Sequence, residues 1–211
     1  MNHILSNSSK SPKFLVIAYF TKNTPYQNLA QTLENSLKSL SLDYYIESIE
    51  DQGSWESNTH YKAYFIKRCL EQYEQDLLYV DVDAIFRSYP ILIDEIKSEG
   101  YDIGYRTENF RWRGDEALSG TVYLKNCDNI KAMVNEWISI NESRPAERMK
   151  PETWEQKNMQ TAHRKMPEIK YYNFPPEYTF ITDTHRQMFP GVVPIIEHFQ
   201  ESRNYFKNKR K

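Results

Sequence analysis

The sequence predicts an α/β protein: a single domain with a mixed, mostly parallel central sheet and helices on both faces of that sheet. Apolar runs and helical spacings alternate in the order β-α-β-α-β over residues 13–83, which is typical of parallel strands joined by crossover helices. The strands are almost continuously apolar, as expected for strands buried on both faces. A chain of 211 residues also suffices for one domain with a real hydrophobic core.

The first half of the chain predicts five regular elements. The first helix follows Pro25, which suits the first turn of a helix, and repeats leucine at helical spacing from Leu29 to Leu40. In chain order we expect a strand over 13–21, a helix over 26–42, a strand over 43–49, a loop over 51–58, a helix over 59–73 and a strand over 76–83.

The second half has a less regular pattern. We expect strands over 101–106, 118–126, around 169–174 and over 191–200, and helices over 129–143 and 151–165. No internal repeat or long linker divides the chain. Residues 1–12 are expected to be disordered, and residues 204–211 form a basic tail.

The charge is unevenly distributed. The chain has 27 Lys and Arg against 29 Asp and Glu, but five of the basic residues lie in the stretch RNYFKNKRK, residues 203–211. The remaining body is therefore acidic, which argues against extended binding of duplex nucleic acid. The basic tail is either a solvated terminus or a contact for an anionic partner.

The composition also predicts a cytoplasmic protein. The mean hydropathy is −0.77, and no apolar run is long enough for a transmembrane helix. The start, MNHILSNSSKSPK, has no apolar signal core. Cys69 and Cys127 are far apart in the sequence, and we expect both to be reduced.

Two acidic residues follow the third predicted strand, in the stretch QDLLYVDVDAIFRSYP. In a strand, Asp81 and Asp83 would point to the same side, and such like charges need a cation or a strong donor between them. In open parallel sheets, ligands bind beyond the carboxyl ends of the strands. Carboxylates there suit Mg²⁺ or Mn²⁺ shared with the oxygens of a diphosphate. The alternative is a pair of acids that merely marks the end of a strand.

A haloacid-dehalogenase-type phosphatase also places Asp-x-Asp after an apolar strand. Its motif continues to Thr or Val where this sequence has Ile85, and it lies on the first strand. The downstream Gly-Asp-x-x-x-Asp acids are missing after residue 90. The sequence therefore disfavours this class.

The chain instead resembles the GT-A nucleotide-sugar glycosyltransferases, in particular their small nucleotide-diphospho-sugar transferases, over residues 14–203. The matching segments come in the family's order and include YVDVDAIFRSYP, SGTVYL, FPPEYTFI and EHFQESR. The resemblance implies transfer of a sugar from a nucleotide-diphosphate donor, most simply a UDP-sugar, to an acceptor hydroxyl. It also implies a nucleotide-binding half over 13–90, an acceptor and sugar half over 91–203, and retention at the anomeric carbon as the favoured stereochemistry.

The resemblance implies a metal site and three catalytic residues, Asp81, Asp83 and Glu155. Asp83 and His198 would hold Mn²⁺ or Mg²⁺, and Asp81 would support both the metal and the ribose. Glu155 would meet sugar hydroxyls and would serve as the general base if the enzyme inverts. A structural histidine and a solvated glutamate are the alternatives for His198 and Glu155.

The resemblance also implies donor-binding positions, for each of which an ordinary structural role is the alternative. Lys62 and Asn58 would face the diphosphate or nucleotide, and Arg203 the phosphate. Arg106, Arg111 and Arg113 lie where such proteins have acceptor loops, and no role is assigned to them. The remaining expected donor-binding residues are Tyr19, Thr21, Trp55, Asp81, Val82, Asp83, Ser119, Gly120, Thr121 and Gln156.

The sequence leaves the acceptor open among a glycan, a lipid-linked sugar, a protein and a hydroxylated DNA base. A phage-type DNA-base glycosyltransferase is therefore one alternative. A non-catalytic module that keeps the fold and binds through its tail is another.

Overall fold

The computed structural model describes residues 14–110, 114–144 and 150–200. The expected disordered start, the basic tail, Arg111, Arg113 and Arg203 lie outside these ranges. The strands are β1 (Leu15–Thr21), β2 (Tyr44–Ile49), β3 (Leu77–Val80), β4 (Ala84–Phe86), β5 (Ile103–Phe110), β6 (Gly114–Leu124), β7 (Tyr171–Asn173), β8 (Phe180–Ile181) and β9 (Ile196–His198). The α-helices are α1 (Tyr26–Ser39), α2 (Trp55–Tyr73), α3 (Ile91–Ser98), α4 (Asp128–Ser143), α5 (Glu155–Arg164) and α6 (Thr182–Met188).

The main sheet has six strands in the order β2-β1-β3-β6-β5-β7. Strand β1 pairs in parallel with β2 and β3, and β5 pairs in parallel with β7. Strand β6 lies antiparallel to both β3 and β5, so it alone runs against the other five strands of this sheet. This confirms the predicted mixed, mostly parallel sheet. A second, smaller sheet has the order β4-β9-β8.

Helices cover both faces of the main sheet, as predicted. The side chains of β1 alternate between two cores: Leu15 and Ile17 pack with α2, α4 and α5, whereas Val16 and Ala18 pack with α1 and α3. Because both faces are buried, the strand is apolar from Leu15 to Phe20. Cys69 is buried in the first core, and both cysteines are free thiols. In the part of the chain described, no helix is both long and apolar enough to cross a membrane.

The main errors of the sequence prediction lie at element ends. Helix α2 begins four residues earlier than expected, because Ser54 caps it by accepting a hydrogen bond from the Ser57 N–H at 3.0 Å. The expected helix over 151–165 is interrupted at Trp154, whose backbone is extended (φ −68°, ψ 146°). The strand expected over 191–200 is only Ile196–His198. The short elements β4, α3, β8 and α6 were not predicted.

The prediction that the third strand extends to Asp83 is also wrong. Strand β3 ends at Val80, and the Ala84 N–H donates to the Asp81 carbonyl at 2.9 Å, which closes a turn around the two acids. The alternation of side chains in a strand therefore does not explain their positions. The turn does so instead, and β4 begins directly after it.

Strand β6 is irregular beside this turn. Its register with β5 shifts between Tyr105, which faces Val122, and Arg106, which faces Leu118. Residues 119–121 therefore have no partner in β5, as in a β-bulge that bends a strand and redirects its side chains. On its other edge, the Gly120 carbonyl accepts the Asp81 N–H at 2.8 Å. The bulge and the acid turn are thus joined directly.

We expect Gly104→Ala to destabilise the protein by about 1–3 kcal/mol through overpacking. A Cβ atom at Gly104 would lie 2.7 Å from Cε1 of Phe174 and 3.2 Å from Cδ1 of Ile96. Urea unfolding of this variant, of Phe174→Leu and of the double variant measures the coupling. The double variant should lose less stability than the two single variants together, because the shorter leucine makes room. Strict additivity would contradict this packing.

Candidate functional site

The acid turn, the β6 bulge and the end of β9 meet around Gly120. A Cβ atom on Gly120 would lie 3.3 Å from both Asp81 Oδ2 and His198 Cε1. Only a residue without a side chain leaves this space open. The structure therefore brings three predicted metal-site residues, Asp81, Asp83 and His198, together beside the backbone of Gly120; we call the partly exposed surface between them the hollow.

His198 is held in place from two sides. Its Nε2 lies 2.8 Å from Thr121 Oγ1, and its Nδ1 lies 3.4 Å from Asp83 Oδ1. The side chain is 3% exposed. It is buried because β9 pairs with β4, so that His198 stands opposite Ala84, directly after the acid turn. The small sheet thus carries the imidazole to the two carboxylates.

Lys62 is a buried cation that connects Asp81 to Ser119 and Glu155. Its Nζ lies 3.1 Å from Asp81 Oδ1 and 2.7 Å from Glu155 Oε1. It also donates to the carbonyl and hydroxyl oxygens of Ser119, at 3.1 and 3.0 Å. The side chain is 2% exposed and lies over the ring of Tyr79. Because a buried ammonium is stable only with such partners, Lys62 joins α2, the acid turn, β6 and α5.

Electrostatic interactions keep both Lys62 and Asp81 charged. Burial lowers the pKa of Lys62, but the carboxylates of Asp81 and Glu155 outweigh it and raise that pKa above its usual value. Burial likewise raises the pKa of Asp81, whereas Lys62, His198 and the Tyr79 hydroxyl bring it below the usual value. Tyr79 donates to Asp81 Oδ1 at 2.8 Å. The second oxygen, Oδ2, faces Gly120 and His198.

The two oxygens of Glu155, at the start of α5, also have different surroundings, as those of Asp81 do. Its Oε1 accepts hydrogen bonds from Lys62 and from Ser119 Oγ. Its Oε2 is buried and has no hydrogen-bond partner among the described residues. The side chain is 7% exposed. One oxygen of Glu155 is thus fixed by the protein, and the other is left as a buried acceptor.

The donor set of the hollow suits a hard divalent cation, since it offers two carboxylates and an imidazole. No group of three or more His, Cys, Asp or Glu side chains within the described ranges is arranged to hold a metal ion by itself. A cation here would therefore take part of its coordination from a bound ligand. Phosphate oxygens are the usual partners of such partly completed sites.

Solved structures share the arrangement of this chain. A glycosyltransferase involved in the glycosylation of the major capsid of PBCV-1 aligns with a TM-score of 0.72 at 12% identity, over 94% of this chain and 98% of that one. The galactosyltransferase LgtC, in complex with donor and acceptor sugar analogs, aligns with a TM-score of 0.52 at 11% identity, over 88% and 87%. Such structural neighbours are GT-A glycosyltransferases. The chain has a GT-A fold.

A third structure with the GT-A fold, mouse xyloside xylosyltransferase 1, aligns with a TM-score of 0.56 at 11% identity, over 89% of this chain and 97% of that one. The fold expected from the sequence resemblance is thereby confirmed. No protein-family model matches the chain, and no curated protein sequence does either.

Three residues expected to contact the donor lie near the end of β1 and in the first turn of α2, where they also make contacts within the protein. The Tyr19 hydroxyl donates to the Asn58 carbonyl at 2.7 Å. The Asn58 side chain binds Asp51 and the Gln52 N–H. Trp55 is partly buried at the start of α2. Their contacts with a donor stay predictions.

Three further expected donor-binding residues have clear places in the GT-A fold. Thr21 is buried at the end of β1, and its carbonyl accepts a hydrogen bond from the Thr24 hydroxyl. Val82 packs in the core against the α1 face, so only its backbone stands beside the acids. Gln156 donates to the buried Glu116. Sequence reasoning missed Glu116, because a glutamate in a predicted strand gives no sign of its burial.

We expect Lys62→Met to destabilise the protein by about 3 kcal/mol, because it leaves the carboxylate of Glu155 buried without its cation. Chemical unfolding of Lys62→Met, Glu155→Gln and the double variant tests this. The double variant should be more stable than Lys62→Met alone, since the charge that was left unpaired is gone. A Lys62→Met variant as stable as the wild type would contradict the ion cluster.

Proposed function

We propose that this protein is a metal-dependent glycosyltransferase that moves a sugar from a nucleotide-diphosphate donor, a UDP-sugar, to an acceptor hydroxyl. The observation that supports it best is the hollow at Gly120, where Asp81, Asp83 and His198 converge within a GT-A fold. The open backbone at Gly120 suits close approach of a diphosphate or of the sugar attached to it.

Asp83 and His198 are the proposed metal ligands, with Asp81 in support. A bound Mn²⁺ or Mg²⁺ would neutralise the charge that develops on the departing nucleotide diphosphate. Thr121 orients the imidazole through its contact with Nε2, which leaves Nδ1 facing Asp83 and the hollow. Asp81 divides its two oxygens between Lys62 and this same hollow.

Glu155 is the proposed contact for sugar hydroxyls. Its Oε1 is fixed by Lys62 and Ser119, and its Oε2 is an acceptor without a partner among the described residues. A carboxylate oxygen of this kind accepts hydrogen bonds only, which suits a donor sugar or an attacking acceptor hydroxyl. Lys62 acts here by positioning Glu155 and Asp81. A contact of its ammonium with a diphosphate would come in addition to its contacts with four oxygens of the protein.

Retention at the anomeric carbon is the proposed stereochemical course, in line with a histidine in the metal site. If the reaction inverts, Glu155 is the residue proposed to take the proton from the acceptor hydroxyl.

Asp83→Asn should lower the rate of metal-dependent hydrolysis or transfer of the donor by about 100-fold or more, because a direct metal ligand is lost. The donor is first identified by thermal unfolding with UDP-, GDP- and CMP-sugars, with and without Mn²⁺. Ligand binding to the folded state raises the melting temperature, so one nucleotide should raise it only together with the metal.

Asp128→Asn is the matched control, because Asp128 is exposed at the start of α4. It should keep both the thermal shift and the activity. Full activity of Asp83→Asn, or no metal-dependent shift of the wild type with any of these nucleotides, would contradict the proposed function. The latter result would favour a non-catalytic module.

A further inference from the structure

An open pocket lies beside the small sheet, and two arginines and an apolar loop form its walls. Arg87 follows β4, Arg186 lies on α6, and residues 192–194 belong to the loop before β9. The volume of this pocket is about 510 Å³, which falls within the range of small-molecule binding sites. We call it the arginine pocket. None of its residues takes part in the proposed glycosyl transfer.

Glu197 holds both guanidinium groups of the arginine pocket. Arg87 donates to Glu197 Oε2 from Nε at 2.8 Å and from Nη2 at 2.6 Å, and Arg186 Nη2 donates to Oε1 at 3.1 Å. Glu197 is 2% exposed. It lies on β9, the central strand of the small sheet, which pairs with β4 on one side and β8 on the other. The sheet therefore fixes the carboxylate, and the carboxylate orients the two guanidinium groups.

The charges at the arginine pocket do not balance. Burial raises the pKa of Glu197, but the hydrogen bonds from Arg87, Thr182 and Arg186 outweigh this and bring that pKa below its usual value. Glu197 is thus ionised, and it is the acidic residue among the described residues that line the pocket. Because one carboxylate faces two guanidinium groups, the pocket keeps a net positive charge.

Both arginines also keep hydrogen-bond donors for a ligand. Their side chains are 46% and 67% exposed, for Arg87 and Arg186. Apart from a contact of Arg87 with the ring of Phe199, neither has a further partner within the described ranges. Arg87 and Thr182 already donate to both oxygens of Glu197, so Arg186 is not needed to satisfy this carboxylate. Free guanidinium donors suit the oxygens of a phosphate.

The apolar wall of the pocket follows a tight turn. The Val192 N–H donates to the Phe189 carbonyl at 3.2 Å, across Pro190 and Gly191. Gly191 has φ +95°, as the third residue of a type II turn requires. Directly after the turn, Val193 is 77% exposed. An exposed aliphatic side chain next to two cations suits a ligand that has both an anionic and an apolar part.

The arginine pocket is separate from the hollow at Gly120. Glu197 and His198 are neighbours on β9, and successive side chains of a strand point to opposite faces. His198 contacts Thr121 and Asp83, neither of which contacts Glu197 among the hydrogen bonds of the described residues. The two sites therefore lie on opposite faces of the small sheet.

We propose that the arginine pocket binds a phosphate group that is attached to an apolar group, as in an alkyl phosphate. Arg87 and Arg186 bind the phosphate oxygens, and Val192 and Val193 contact the apolar part. Binding there does not depend on the proposed glycosyl transfer. A free molecule and the headgroup of a membrane lipid both offer this chemistry.

Titration of the full chain with hexyl phosphate, followed by two-dimensional NMR of the backbone amides, tests the pocket. The amide signals of Val192 and Val193 should shift, and that of Gly120 should not. Arg186→Gln should weaken binding of hexyl phosphate by about tenfold, because a charged donor is lost. Val193→Ser should weaken it by about threefold and leave the binding of inorganic phosphate unchanged, since only the apolar part loses a contact.

Flotation with vesicles distinguishes the two sources of the phosphate. The vesicles consist of phosphatidylcholine, with or without phosphatidic acid. Flotation that requires phosphatidic acid and is lost in Arg186→Gln assigns the pocket to a lipid headgroup. Binding of hexyl phosphate without flotation assigns it to a free molecule.

Arg68→Gln is the matched control, since the side chain of Arg68 is 44% exposed and pairs with Glu47, away from the small sheet. It should bind hexyl phosphate as the wild type does. Three results would overturn the proposal: no binding of hexyl phosphate or of phosphatidic acid vesicles by the wild type, equal loss of binding in Arg68→Gln and Arg186→Gln, or unchanged binding in Arg186→Gln. A shift at Gly120 in place of Val192 and Val193 would do so as well.

Discussion

The buried ammonium of Lys62 is the contact on which the arrangement of the site depends. It reaches oxygens of Asp81, Ser119 and Glu155, so it fixes the acid turn, the β6 bulge and the start of α5 relative to α2. A buried cation tolerates little displacement, because each lost oxygen exposes it to a large desolvation cost. The cluster therefore specifies geometry more than it adds stability, and it leaves Asp81 Oδ2 and Glu155 Oε2 directed away from Lys62.

The regular parts of the fold support this site, and the irregular parts form it. Strands β1, β2 and β3 are an apolar parallel scaffold with helices on both faces. The functional candidates stand where regular pairing stops: in the turn after β3, in the bulge of β6 and at the end of β9. Such positions free backbone and side-chain groups from the sheet, which is how ligand sites arise at the ends of strands in open sheets.

The first half of the fold could be predicted from the sequence, and the sequence also predicts where the candidate site lies. The apolar runs around Val16 and Leu78 and the leucine spacing of α1 are local signals. The acids follow the carboxyl end of β3, and such ends are where ligands bind in open sheets. The burial of Lys62 depends on partners far away in the chain, Ser119 and Glu155, and the β6 bulge depends on the register of β6 with β5. From the sequence alone, a lysine on a helix or a glutamate in a strand is expected to be exposed, because the partners that would allow its burial are not known.

The most direct test of a metal–diphosphate site at Asp81, Asp83 and His198 is pulsed electron paramagnetic resonance of Mn²⁺ bound to the protein together with UDP. Direct coordination by the imidazole of His198 should give a ¹⁴N coupling in the spectrum, which His198→Gln should remove. A Mn²⁺–UDP complex of the wild-type protein without any nitrogen coupling from His198 would contradict this site.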